Sequence, residues 1–343
     1  MAVHNIVVIG ASYAGLGTAH YLLRHTIPAL QKASDSDSTT YKLTLISATT
    51  HFYHKVGAPR FLVSPDLIPL SKAFLPIADG FKSYPSSTFT LIIGEAHSLN
   101  PTTQTIAIQK TYDSPSSSSP PSTVSYNTLI LATGASSDSP LWSIPGSHDR
   151  TISALKSTQS ALPTAKTVLV AGGGPAGVET AGEIASLFPE IDITLLSGAD
   201  RLLTRLRPAL GAAAESQLQA LGVTVVHGVR AKRATSDVGG VTEVVLDNDN
   251  DDGDVKVVDL YIDATGIRPN TAFLPKSWLT EKNYVITRDT TSLRGPVDGV
   301  YAIGDVAGYS LGGALDIVDA VRPLCATVLQ DLSRGEGGKG HAV

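Results

Sequence analysis

The chain has 343 residues, a net charge of -5, and 17% charged and 42% hydrophobic side chains. That length and composition suit two folded domains with full cores, and the acidic balance excludes a nucleic-acid partner that needs a broad basic face. The one cysteine, Cys325, excludes an internal disulfide and a redox dithiol and gives no sign of secretion. No apolar run approaches the ~20 residues of a membrane-spanning helix. The strand pattern begins by about Asn5, leaving no room for a signal peptide. Ala2 excludes N-myristoylation, and the final KGHAV is no prenylation box. The expectation is a cytoplasmic protein, monomer or homodimer, with at most peripheral membrane contact.

The first predicted element is IVVIG (6–10), an apolar, β-branched run of the kind found in buried parallel strands. The stretch AGLGTAHYLLRHTI (14–27) has helical spacing, QKASDSDSTT (31–40) reads as a polar loop, and YKLTLIS (41–47) as a second buried strand. Together they form one βαβ unit. The turn GASYAG (10–15) admits two readings. As a hydrolase elbow, G-x-S-x-G, it would make Ser12 a nucleophile, but Ala14 stands where the last glycine belongs. As a dinucleotide turn, G-x-G-x-x-G, Gly10 and Gly15 fit and Ser12 replaces the middle glycine.

Strand-rich sequence follows in FTLIIGEAHSLNPTTQTIAIQK (89–110), and DSPSSSSPPSTVS (113–125) reads as a mobile hairpin loop. YNTLILATGASS (126–137) is a strand ending in Ala-Thr-Gly. The βαβ pattern then recurs in TVLVAGGGPAGVETAGEIASLFPEIDITLLS (167–197), where Gly172, Gly174 and Gly177 complete G-x-G-x-x-G. A second β-rich stretch spans 223–247, and VDLYIDATGIRPN (258–270) repeats the Ala-Thr-Gly ending. The acidic DNDNDDGD (247–254) lacks the Gly and Glu of a calcium loop, having Asp252 and Val258 at those positions, and reads as a solvated turn. No metal site is expected.

The ordered set GASYAG, ATG, GGGPAGVE, ATGIRPN and GVYAIGDVAG (299–308) resembles the flavin-dependent pyridine-nucleotide oxidoreductases with two dinucleotide domains. Within them the chain is most similar to the apoptosis-inducing-factor-like, ferroptosis-suppressor type, related to type II NADH:quinone oxidoreductases. The resemblance covers roughly residues 5–332. It implies an α/β fold of two Rossmann-like domains, a glutathione-reductase-like flavoprotein without the large C-terminal interface domain. The FAD domain would comprise residues 1–148 and 270–333, the NAD(P)H domain 149–269, and a flexible tail 334–343. The hydrolase reading accounts for neither the second glycine turn nor YAIGD.

The resemblance implies that FAD is bound by Gly10, Ala11, Ser12, Ala14 and Gly15, with Ser47, Arg60, Ala96, Thr133, Gly134, Asp305 and Val306 around it. Asp305 would bond the ribityl chain. The helix from about Gly313 would aim its positive end at the flavin pyrimidine, with Asp316 and Asp319 one turn apart beside it and Pro323 bending it. NAD(P)H is assigned to Gly172, Gly174, Pro175, Ala176, Gly177, Ser197 and Gly266. Glu179 matches the glutamate beside flavin and nicotinamide. In THFYHKVGAPR (50–60), which matches the segment passing the flavin, His54 and Lys55 are candidates to steer or protonate a reduced acceptor.

The chain departs from the pattern where the ribose usually meets an acid. The second strand of each half ends in serine, Ser47 and Ser197. The loss of a charge-assisted bond to FAD is worth ~1 kcal/mol. At the second site no acid repels a 2′-phosphate, and Arg201, Arg205 and Arg207 follow, which favours NADPH or use of both coenzymes. The expected reaction runs from NAD(P)H through FAD to a small-molecule acceptor, a quinone. The alternatives are a flavin oxidase or dehydrogenase of a specialised metabolite and a non-enzymatic redox-sensing protein.

Overall fold

The computed structural model describes residues 2–33, 39–109, 111, 122–144, 146–236, 241–247, 253–288 and 293–337. Most of the serine-rich stretch at 113–125, the centre of the acidic stretch at 247–254 and the last six residues lie outside these. The chain forms two compact units: residues 1–53, 75–136 and 268–343, and residues 54–74 and 137–267. The segment 54–74 groups with the second unit, a division the motif pattern did not draw.

The first unit is built on a parallel sheet in the order Val300–Ala302, Thr128–Leu131, Val3–Ile9, Thr40–Ser47, Phe89–Ile93. Strand residues alternate between its faces. Ile6 and Val8 pack into one core with Leu22, Leu43, Leu45 and Ile130, while Val7 and Ile9 join Ile46, Leu129, Leu131 and Ile106 on the other. Both faces are covered, which is why IVVIG is apolar throughout. From Val3–Ile9 the chain crosses to Thr40–Ser47 on one side and later to Thr128–Leu131 on the other. The crevice beyond the end of the first strand is therefore a topological switch point, where open α/β sheets bind ligands.

The second unit repeats this plan with four parallel strands, ordered Thr224–His227, Asp192–Ser197, Thr167–Ala171, Leu260–Asp263. Its antiparallel sheet of Arg230–Ser236, Thr242–Asp247 and Val255–Val258 accounts for the β-rich stretch before the second Ala-Thr-Gly. The first unit carries the equivalent sheet, Glu95–Asn100, Thr105–Gln109 and Ser122–Ser125.

One helix departs from the sequence reading. The first glycine-turn helix, Tyr13–Tyr21, widens into a π-turn over Leu22–Thr26 and continues as Ile27–Ala33, past the loop boundary expected at Gln31. Pro28 is the physical reason: it has no N–H for the Arg24 carbonyl and its ring would strike that oxygen. The wider turn, with Ile27 N–H donating to Leu22 O, shifts the register there. The C-terminal helix Ala314–Gly337 continues through Pro323.

That last helix is tied to the sheet by one polar cluster. Arg294 donates from Nε and Nη2 to Asp331 at 2.9 and 2.7 Å, and Tyr301 Oη donates to the same carboxylate at 2.8 Å. The Arg294 hydrogen bond holds the Asp331 carboxyl below the usual range. An acid depressed on folding contributes stability above its unfolded pKa and loses it as pH falls through the folded value. Asp331→Asn is expected to cost about 2 kcal/mol at pH 7. The difference should shrink toward pH 3, measured by urea denaturation at a series of pH values. No helix among the described residues is long and apolar enough to cross a membrane.

Candidate functional site

In the first unit three segments meet at the end of the central strand. Gly10 adopts φ 106°, and its amide donates to Ile46 O at 2.8 Å. A Cβ there would overlap the Ala132 carbonyl and approach the Thr133 Cα at 3.0 Å. A Cβ on Gly15 would overlap the Gly10 carbonyl. Glycine at both positions lets the helix start against the strand end, with first-turn amides facing the switch point. Gly304, ahead of Asp305, lies against Ala14, where an added Cβ would come within 3.1 Å of the Ala14 Cβ. The structure thus brings Gly10, Ala11, Ser12, Ala14 and Gly15 together with Thr133, Gly134, Asp305 and Val306.

Ser12 is the N-cap residue in an extended conformation, and its hydroxyl does not cap the helix. Thr133 Oγ1 donates to Asn270 O at 2.8 Å and Asn270 Nδ2 donates back to Thr133 O at 2.8 Å, which joins the first ATG to the final residue of ATGIRPN. Ser47 is buried, and its hydroxyl is engaged locally, donating to Thr49 O at 2.6 Å. Gly94 N–H donates to Ser47 O at 2.7 Å, which sets the start of the strand carrying Ala96, itself paired with Ile108.

The sequence reading missed Tyr309. Its hydroxyl accepts from Gly304 N–H at 3.2 Å, so the phenol braces the turn that presents Asp305. Burial raises its pKa. The only signal available was its nearness to YAIGD. Asp316 accepts from Leu311 N–H at 3.1 Å and closes the loop before the last helix, while Asp319 is exposed.

The second unit repeats the turn with full glycine content. Gly172 has φ 123°, and a Cβ would stand 2.6 Å from Ala264 O; a Cβ on Gly177 would overlap the Gly172 carbonyl. Gly174 is the N-cap of the helix Pro175–Leu187, with Pro175 at the first position and Ala176 next. A Cβ at Gly174 would meet nothing within 4 Å, and the same is true at Gly134 and Gly266, both with positive φ. These open backbone surfaces beside helix N-termini fit the pyrophosphates of two dinucleotides. Ser197 is buried, with its hydroxyl donating to Ala199 O at 3.2 Å and Arg201 O at 3.1 Å.

Glu179 sits on that helix, one turn from Glu183. Removal from water, and then the Glu183 charge, raise its pKa. Arg60 directs its guanidinium to Glu183, with Nη2 at 2.7 Å and Nε at 3.0 Å from Oε1, so its fork is occupied within the second unit. His54 is exposed and precedes the 3-10 turn Lys55–Gly57. Its ring meets the edge of Phe61 at 6.1 Å and its backbone N–H donates to Ala73 O at 2.8 Å. Cys325 is fully buried, and burial pushes its thiol up to about 12. A thiol so placed stays protonated and inert.

Residues 4–324 match the pyridine nucleotide-disulphide oxidoreductase family, and the chain belongs to it. It is an oxidoreductase that uses FAD and NAD(P)H. Relatives include Oxidoreductase phnG of Penicillium herquei, 35% identical over 96% of this chain and 80% of that protein. Ferroptosis suppressor protein 1 of Xenopus tropicalis is 25% identical over 88% of this chain and 74% of that protein. Among solved structures, the sulfide:quinone oxidoreductase of Aquifex aeolicus shares the fold, with TM-score 0.76, 15% identity, and coverage of 96% of this chain and 77% of that one.

Two outcomes are expected here. Asp305→Ala should weaken FAD retention by a few kcal/mol at most, since one charge-assisted bond goes, as read from flavin released on dialysis. Glu179 has a raised folded pKa, so its stability contribution is complete below the unfolded value and is lost as pH rises through the folded one. Glu179→Gln should therefore raise Tm at pH 8, with the gain disappearing below about pH 4.

Proposed function

We propose that the enzyme takes electrons from NAD(P)H through FAD and delivers them directly to a small flat acceptor of the quinone class. The supporting observation is the pairing of two glycine turns at two switch points with a single cysteine that is buried and inert. A chain with no dithiol has no sulfur relay, so the acceptor must reach the flavin itself. The resemblance to the ferroptosis-suppressor type and to type II NADH:quinone oxidoreductases supports a quinone.

When bound, the two cofactors supply two-electron transfer from the nicotinamide to the flavin and onward. The residues hold and steer. Amides of the helix beginning at Tyr13, with Gly134, Thr133 and Asp305, hold FAD in the first unit. Gly174, the Pro175–Leu187 helix N-terminus and Gly266 hold NAD(P)H in the second. Glu179, on the helix that starts at the second glycine turn, is suited to accept a hydrogen bond from the nicotinamide amide. His54 is exposed on this segment and carries an imidazole able to pass a proton to the acceptor, and Lys55, its neighbour, stabilises negative charge developing on the acceptor oxygen.

Stopped-flow absorbance separates the two half-reactions. His54→Ala should slow reoxidation by a soluble quinone by about tenfold or more, leaving flavin bleaching by NAD(P)H nearly unchanged. Cys325→Ser should alter neither. Loss of acceptor turnover in the Cys325 variant with flavin retained would overturn direct transfer.

A further inference from the structure

Beyond the carboxyl end of the Asp192–Ser197 strand lies a recess of about 300 Å³, lined by Gly198, Ala199, Asp200, Gly228, Arg230 and Asp247. It adjoins the second glycine turn, because a Cβ on Gly173 would come within 2.6 Å of Ser197 Oγ. A strand end at this place in a dinucleotide fold meets the coenzyme's adenosine ribose, where an acid bonds the 2′-hydroxyl or an arginine accommodates a 2′-phosphate. Ser197 serves neither purpose, since its hydroxyl is turned to Ala199 O and Arg201 O. Of the arginines in the following loop, Arg201 is committed to structure: it donates to the carbonyls of Leu203, Thr204 and Leu206 at 3.3, 2.6 and 3.2 Å.

The cation on the recess comes from elsewhere in the unit. Arg230 opens the strand Arg230–Ser236 and lies along Gly198, where an added Cβ would come within 2.7 Å of its Cγ and Nε. Only a glycine leaves the arginine that bed. One Nη2–H donates to Gly198 O at 3.3 Å, and a guanidinium has five N–H groups, so most of the fork remains for a ligand. Of the two carboxylates in the lining, Asp247 is paired with Lys232 at 2.8 Å. Asp200 is exposed and shares the lining of the recess with Arg230.

We propose that Arg230 is the coenzyme-selecting residue, receiving the 2′-phosphate of NADPH on the fork that Gly198 leaves room for. Asp200 opposes it, accepting the ribose hydroxyl of NADH and repelling the phosphate, so one recess accepts both coenzymes. This rests on the second glycine turn being the NAD(P)H site.

Calorimetric titration of the FAD-loaded protein with 2′,5′-ADP and with 5′-AMP isolates the 2′-phosphate without turnover. Arg230→Ala should weaken 2′,5′-ADP about tenfold or more, a loss typical of one charge-assisted bidentate contact. Its 5′-AMP affinity should stay within about twofold, which also shows that the variant is folded. Gly198→Ala, which displaces the arginine without removing its charge, should move the same ratio in the same direction, and Asp200→Asn should tighten 2′,5′-ADP while weakening 5′-AMP. Equal losses of both ligands in Arg230→Ala, or an unmoved ratio, would overturn the assignment. Failure of the wild type to bind either ligand at millimolar concentration would overturn the underlying coenzyme site as well, before any variant is made.

Discussion

Everything in the two nucleotide sites depends on one close approach made twice: the carbonyl of the first glycine of each turn sits where the side chain of the third would be. Gly10 with Gly15, and Gly172 with Gly177, leave no room even for a methyl group. The helix is thereby pressed onto the end of the central strand, and its first amides open toward the crevice at which strand order reverses. A β-carbon at either third position would push the helix from the sheet and disperse those amides. Ser12 is tolerated in the first turn because it sits in extended backbone as the N-cap, outside the close contact.

With the backbone as the main binding surface, many polar side chains nearby serve to shape loops. Ser47 and Ser197 each bond a carbonyl two residues on, Arg201 gathers three carbonyls, Asp316 closes the approach to the last helix, and Arg60 pairs with Glu183. Tyr309 and Asn270 brace the turn before Asp305 and the first Ala-Thr-Gly. Such loops hold a ligand's place before it binds, which lowers the ordering cost of binding. The family's dithiol chemistry has no counterpart here, since the lone thiol sits on the buried side of the C-terminal helix, packed in the core.

The sequence by itself determined the two parallel-sheet units, the two glycine turns, the two Ala-Thr-Gly strand ends and the absence of a dithiol. Each is written in contiguous residues: an apolar β-branched run makes a strand buried on both faces, and glycine spacing makes a turn that only glycine allows. The helix at 14–27 was legible for the same reason, but its π-turn was not, because Pro28 acts on the carbonyl four residues back. Only the tertiary structure decided which side chains meet. Arg60 finds Glu183 across 123 residues, Arg230 reaches Gly198 across 32, and segment 54–74 packs with the second unit. Those partners are chosen by how sheets and loops pack, and the three arginines after Ser197 carry no mark in sequence that one of them caps its own loop. A periodic pattern specifies an element and its buried face, while the direction of a long charged side chain is settled by neighbours that folding alone brings near.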